Sequence, residues 1–188
     1  MIKLEWTCQN GIANEDVFNS IYAIINNLKE EGGVFAGKKD RLDYAPYSCL
    51  ITYNDNPIGF IYTAREQRYQ DAYFLDMAII KEYRGLGLGT EALNKFIEII
   101  DSIEKKFIIG ETKHENEASN PLGYSLGQKI LEDRYNYYLF PKSRYAEFKE
   151  FNKDKRFEQA MARDTLNSRE LLIRIYEDEH NAQKRLTK

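Results

Sequence analysis

The chain has 188 residues, enough for one domain with a small appendage. Its 43% hydrophobic and 13% aromatic content can fill a sizeable core, which excludes disorder for the bulk of it. With 27 basic and 30 acidic residues the formal net charge is −3, so no global charge draws it to nucleic acid or an anionic membrane.

The opening stretch, Ile2 to Cys8, alternates and predicts a first strand. It holds no apolar run long enough for a signal peptide or a membrane span, so a cytoplasmic protein is expected. A helix is predicted from Asn14 to Gly33. Asn14 caps it, Glu15 and Asp16 suit its positive end, and Gly32 ends it. Val17, Ile21, Ile24, Ile25 and Leu28 form its apolar stripe. A polar loop follows from Val34 to Tyr47. Two strands around Asn54-Asp55-Asn56-Pro57 read as a hairpin. The run Ala72 to Ile80 is almost wholly apolar and predicts a buried central strand. A helix from Thr90 to Lys106 carries Leu93, Phe96, Ile97 and Ile100 on one face. Phe107 to Lys113 reads as a short strand, Asn116 to Gly127 as a short helix, and Lys129 to Phe140 as extended chain. From Ser143 the sequence turns charge-rich and helical, with Leu171, Leu172, Ile175 and Tyr176 on one side of its last helix. Cys8, Cys49, His114 and His180 lack metal-type spacing, so no metal is expected, and the cysteines read as small buried thiols.

The stretch Arg84-Gly85-Leu86-Gly87-Leu88-Gly89-Thr90 lies between an apolar strand and an amphipathic helix. That order makes an anion site. The first helix amides lack internal partners, the helix dipole favours negative charge, and glycines let phosphate oxygens approach the backbone. Arg84 adds a cation. The bland alternative is a tight turn without a ligand. A P-loop is excluded, because no Gly-Lys-Ser/Thr follows. Gly87, Gly89 and Ala92 also fit the dinucleotide fingerprint G-x-G-x-x-A, with Glu111 about 20 residues on. Against it stand the residues Lys81 to Arg84 between strand and loop, the preceding hairpin, and the lack of strand–helix alternation after Phe140.

Arg84, Gly87 and Gly89 match the Gln/Arg-x-x-Gly-x-Gly/Ala signature, and Leu75 to Ile97 resembles the acetyl-CoA-binding segment of the GNAT superfamily of N-acetyltransferases. Lys81 stands where many members carry proline. The order β-α-β-β-β-α-β-α-β from Ile2 to about Phe140 is similar to the family's. Asn116, Ser119, Leu122, Leu126 and Gly127 fall in register with a second family segment. Gly123 holds its usual tyrosine position, with Tyr124 one residue later, and Gln128 replaces a phenylalanine.

The resemblance implies a mixed, mostly antiparallel sheet flanked by helices over residues 1–142, with a helical extension over 143–188. It implies direct transfer of an acetyl group from acetyl-CoA to an amine in a ternary complex. Amides of Arg84, Gly85, Leu86, Gly87, Leu88, Gly89 and Thr90 would hold the pyrophosphate. The edge of the central strand at Ala78, Ile79 and Ile80 would pair with the pantetheine arm, and Asn116 and Ser119 would bond to it; Asn116 also reads as a helix cap. For the base, Asp76 is the one charge in its apolar strand; it reads equally as a structural aspartate. Glu111 is a second candidate, and His114 reads as exposed. Tyr124 is the acid candidate, with a packing tyrosine as the alternative. Tyr44, Tyr47, Tyr62 and Tyr73 either line an acceptor cleft or pack. The acceptor is open among polyamine, antibiotic, amino acid and protein N-terminus. The tail is expected to cover its own core, with a homodimer or a docked partner as the other readings. The rivals are a small NAD(P)-binding oxidoreductase and a weakly catalytic CoA-binding regulatory module.

Overall fold

The computed structural model describes residues 1–9, 12–30, 45, 47–66, 69–103, 106–114, 116 and 119–162. Nine strands and five α-helices are numbered in chain order. The strands are β1 (Ile2–Trp6), β2 (Cys8–Gln9), β3 (Ile12–Ala13), β4 (Tyr47–Tyr53), β5 (Asn56–Glu66), β6 (Tyr69–Ile79), β7 (Phe107–Thr112), β8 (Gln128–Glu132) and β9 (Asn136–Phe140). The helices are α1 (Glu15–Glu30), α2 (Leu88–Ile103), α3 (Ser119–Leu126), α4 (Tyr145–Phe151) and α5 (Arg156–Ala162). The main sheet is mixed and mostly antiparallel, in the order β1-β4-β5-β6-β7-β9-β8, with β6 and β7 parallel. Among the described residues no helix is long and apolar enough to cross a membrane.

The chain divides into two compact units. The first contains Met1–Ala64 and Asp76–Phe96. Its helix α1 starts as the sequence indicates, with Asn14 Oδ1 accepting the Val17 amide at 3.3 Å. Val17, Ile21, Ile24, Ile25 and Leu28 pack on Leu50, Phe60 and Tyr62. Asn54 and Asp55 both take positive φ, 50° and 64°, the backbone a two-residue hairpin turn needs. The α2 residues Ala92, Leu93 and Phe96 are buried, and Phe96 stacks on Trp6 at 5.6 Å. The first strand ends at Trp6, and Cys8–Gln9 pairs antiparallel with Ile12–Ala13 as β2 and β3, a pairing absent from the sequence reading. Cys49 is buried, which pushes its thiol pKa up, whereas Cys8 is exposed; the expectation of two buried thiols holds for Cys49 alone.

The second unit contains Arg65–Leu75 and the described residues from Ile97 to Ala162. Its core gathers Tyr69, Ala72, Phe107, Ile109, Tyr137 and Leu139 with Phe148 of α4 and Phe157, Ala160 and Met161 of α5. Phe157 meets Tyr69, Tyr137 and Phe148 edge-on, with centroids 5.1, 5.5 and 5.8 Å away. Arg144 fixes the entry to α4. It donates to the Lys106 carbonyl at 2.9 Å, pairs with Glu147, and lies over the Phe107 ring. Lys129 to Phe140 is a hairpin rather than one extended run, with β8 and β9 joined through Asp133–Tyr135. Leu171, Leu172, Ile175 and Tyr176 lie outside the described residues.

Candidate active site

In the first unit, β6 leads into the glycine loop. The apolar run Phe74 to Ile80 is only half-buried, which corrects the expectation of a fully buried strand. The β6–β7 register runs from Ala72↔Phe107 to Leu75↔Gly110, while β6 itself runs on to Ile79. The Ile80 amide donates to the Ile58 carbonyl at 2.9 Å. A Cβ on Gly59 would collide with the Ala78 carbonyl oxygen and would meet Ile79 Cδ1 at 2.8 Å, so glycine is what lets β5 and β6 approach here. The Ile80 amide thus faces β5, while its carbonyl accepts the Tyr83 amide at 3.1 Å. By the alternation of a strand, Ile79 turns its groups the other way.

A 3-10 turn over Lys81–Tyr83 reverses the chain, and the Arg84 amide closes it on the Lys81 carbonyl at 3.2 Å. That amide is therefore engaged, and the donors aimed at an anion start beyond it. The Arg84 guanidinium is used differently from the sequence reading: its Nε donates to the Ile79 carbonyl at 2.7 Å and clamps the loop to the strand end. Gly85 and Gly87 have φ of +77° and +76°, and a Cβ built on either would meet nothing within 4 Å. These are the two positions where the left-handed backbone requires glycine.

Helix α2 begins at Leu88, two residues earlier than expected, with the Glu91 amide bonded to the Gly87 carbonyl at 3.0 Å. The amides of Leu88, Gly89 and Thr90 therefore form the first turn, where a helix offers donors and positive potential. Gly89 is closely packed: a Cβ there would lie 3.3 Å from Ile79 Cγ1, a tight contact, and 3.7 Å from Met77 Cε, an ordinary one. A pyrophosphate fits this donor set. Open space over two left-handed glycines, three first-turn amides and a neighbouring guanidinium suit a diphosphate ester.

Asp76 lies on the same β6 segment, half-buried, and its Oδ2 accepts the Tyr62 hydroxyl at 3.0 Å. Tyr62 is buried beside Phe60, and Tyr73 is buried in the second unit, where the Lys106 ammonium lies over its ring. Both tyrosines pack rather than line an acceptor cleft. Tyr47 is half-buried, and Tyr44 lies outside the described residues.

The second unit carries the other candidates. Glu111 is exposed on β7, opposite Tyr137 of β9. Asn116 caps α3, with its Oδ1 accepting the Ser119 amide at 2.9 Å, and Ser119 is half-buried in the first turn. His114 is exposed, with Nε2 2.7 Å from the Asp133 carbonyl oxygen. Pro121 sits in the first turn of α3, where proline is tolerated.

Gly123 explains why the usual tyrosine is absent there. Its Cβ would fall within 2.6 to 2.8 Å of three ring atoms of Tyr138, which fills that space from β9. Tyr124, one residue on, is exposed and meets the Tyr138 ring edge-on at 5.2 Å. The Tyr138 hydroxyl donates to Asn120 Oδ1 at 3.0 Å. That oxygen also accepts from Thr112 Oγ1 at 2.6 Å and Asn136 Nδ2 at 3.0 Å, while Asn120 Nδ2 reaches the carbonyls of Lys113 and His114, both at 2.9 Å. Asn120 joins α3, β7 and β9 through one amide. Asn120→Ala leaves the buried Tyr138 hydroxyl and two other donors without this acceptor, and should cost about 2 kcal/mol in urea unfolding. Lys129, Tyr138 and Asn120 were not found by sequence reasoning, because each matters through a neighbour distant along the chain and not through a motif; Tyr62 was singled out, but not as the partner of Asp76.

A family model described as "Acetyltransferase (GNAT) family" matches residues 15–127. N-alpha-acetyltransferase 30 of Schizosaccharomyces pombe is 28% identical over 96 residues, which cover 50% of this chain and 64% of that protein. The chain thus spans less than two thirds of this curated relative. The ribosomal-protein-S18-alanine N-acetyltransferase of Escherichia coli superposes with a TM-score of 0.54 at 17% identity, covering 74% of this chain and 91% of that one. A Salmonella typhimurium protein solved with its cofactor acetyl-CoA superposes with a TM-score of 0.55 at 13% identity, covering 74% and 91%. The fold is that of these acyltransferases, and the chain belongs to the GNAT acetyltransferase family.

Proposed function

We propose that the protein is an N-acetyltransferase that takes acetyl-CoA as donor and a primary amine as acceptor, with direct transfer in a ternary complex. The observation that carries this reading is the left-handed turn at Gly85 and Gly87 opening into the first turn of α2. Amides from Gly85 to Thr90 bind the pyrophosphate, and Arg84 fixes the loop to the strand. Ile79 offers its amide to the pantetheine arm, flanked by Ala78 and Ile80, its carbonyl being held by Arg84. Asn116 and Ser119 are further contacts of the donor. Acetyl-CoA supplies an activated thioester carbon. Asp76, oriented by Tyr62, takes the amine proton, with Glu111 as the second candidate; Tyr124 gives a proton to the departing sulfur. Residues 143–188 are read as an extension packed on the acetyltransferase domain.

For the acceptor we favour a protein or peptide α-amine, because N-alpha-acetyltransferase 30 and the S18-alanine enzyme are named for such substrates. An α-amine has a pKa of about 8, against about 10.4 for a lysine side chain, so more of it is neutral near pH 7 and a modest base suffices. The rival oxidoreductase reading has only the glycine turn and the spacing to Glu111 in its support.

The test is incubation with acetyl-CoA and peptides with a free N-terminus, peptides with a blocked N-terminus and a lysine, and spermidine, read by mass spectrometry. Acetylation of the free α-amine is expected; no transfer to any amine contradicts the proposal. Asp76→Asn should lower kcat about 100-fold and flatten its rise with pH, with acetyl-CoA affinity near wild type. An unchanged pH profile removes Asp76 as the base.

A further inference from the structure

The cluster around Tyr124 contains a cation that the proposed chemistry has not used. Lys129 follows α3 by one short turn, at the start of edge strand β8. Its ammonium lies 5.5 Å from the centre of the Tyr124 ring. Two other groups hold it there: the Glu132 carboxylate pairs with it, and Asn136 Oδ1 accepts from it at 3.2 Å. From the other side the Tyr138 ring meets Tyr124 edge-on, and the Tyr138 hydroxyl is tied to Asn120. A tyrosine with only a packing role needs no such company at an exposed position.

We propose that Lys129 is a positioning residue for Tyr124: held by Glu132 and Asn136, its ammonium orients the phenol and stabilises the phenolate left when Tyr124 gives up its proton. The inference rests on the reading of Tyr124 as the proton donor. As the amide C–N bond forms and the thioester C–S bond breaks, the electron pair goes to sulfur and the Tyr124 proton follows. Lys129 stabilises the resulting phenolate, and the proton lost by the amine restores the phenol through solvent. Hydrogen bonding with Lys129 first, and with Tyr138 second, holds the Tyr124 pKa below the usual tyrosine value. Tyr138 is pushed up to about 12, chiefly by desolvation. Glu132 raises the Lys129 pKa and is itself held low by it, so both stay charged through the neutral range. His114, with Nδ1 4.0 Å from Glu132 Oε1, is a further titratable neighbour among the described residues.

The deciding experiment uses the full chain, labelled with carbon-13 at the tyrosine Cζ, with Tyr124→Phe assigning the resonance. Tyr124 is expected to titrate below the other exposed tyrosines, to move upward in Lys129→Met, and to recover in Lys129→Arg. A Tyr124 titration unmoved by Lys129→Met overturns the proposal, whatever the protein's turnover. Kinetics give the second arm. Tyr124→Phe should lower kcat about 100-fold and Lys129→Met about 10-fold, each with the KM for acetyl-CoA near wild type. The alkaline fall of kcat should move to higher pH in Lys129→Met, because the acid then keeps its proton longer. Added to Tyr124→Phe, Lys129→Met should cost nothing more; a full 10-fold loss in that background overturns the inference. Full activity in Tyr124→Phe removes the proton-donor role itself. Absence of turnover in the wild-type protein on every amine instead contradicts the transferase reading, while the titration still decides whether Lys129 governs the phenol.

Discussion

Gly87→Trp should reduce acetyl-CoA affinity at least 100-fold while leaving the protein folded. Gly87 has φ of +76°, where any residue with a Cβ is destabilised by roughly 1–2 kcal/mol. That strain is small against the stability of an ordinary domain, about 5–15 kcal/mol, so the fold should survive. Binding should not survive. A Cβ at Gly87 points into space that contains no protein atom within 4 Å, which is the space a phosphate oxygen needs to reach the loop amides. Relief of the strain by a flip of the peptide would also turn an amide away from the anion. Gly87→Ala should show an intermediate loss of about tenfold, because its methyl is smaller while its backbone strain is the same. Isothermal titration with acetyl-CoA, paired with circular dichroism, separates the two effects. Normal affinity in Gly87→Trp would show that the loop is a turn and nothing more.

Phe157→Ala should be the most destabilising single truncation in the second unit, by about 3–5 kcal/mol. Phe157 is fully buried, and its ring is surrounded edge-on by Tyr69, Tyr137 and Phe148. Each of these comes from a different element, so no single side chain can move in to fill the cavity. The expected loss corresponds to a fall in Tm of about 10 °C for a chain of this size. Phe157→Leu should cost about a third as much. Urea unfolding of the three proteins checks both values. A loss under 1 kcal/mol for the alanine variant would mean that α5 contributes little to the core. Because α5 begins at Arg156, beyond residue 142, the variant also asks whether the extension is integral to the second unit.

The elements that were legible from the sequence carry their determinants locally. The α1 cap is one residue, Asn14, and its apolar stripe is a regular period. The β4–β5 hairpin is set by Asn54 and Asp55, two residues that tolerate positive φ. The glycine loop is legible for the same reason at Gly85 and Gly87.

What escaped the sequence depends on neighbours distant along the chain. Gly89 reads as part of the loop, because glycine is a poor helix former. It is in fact inside α2, where the Ile79 side chain comes close to it. Gly123 reads as a missing tyrosine until Tyr138 is seen to occupy its space. The β8–β9 turn contains neither glycine nor proline, so nothing local interrupts the run from Lys129 to Phe140. The apolar composition of Phe74 to Ile80 suggested burial, but composition states a preference and cannot supply a neighbour. Asp76 was legible as an oddity in that strand; its partner Tyr62, fourteen residues earlier, was not.

The most direct test of the central claim is thermal unfolding with acetyl-CoA, CoA, NAD and NADP, each at about a hundred times the expected dissociation constant. A ligand at that excess stabilises the native state by about 2.7 kcal/mol, enough to raise Tm by several degrees. A shift with acetyl-CoA and CoA, absent with NAD and NADP and abolished by Gly87→Trp, is the predicted result. A shift with NAD or NADP alone would contradict it and return the glycine turn to the dinucleotide fingerprint.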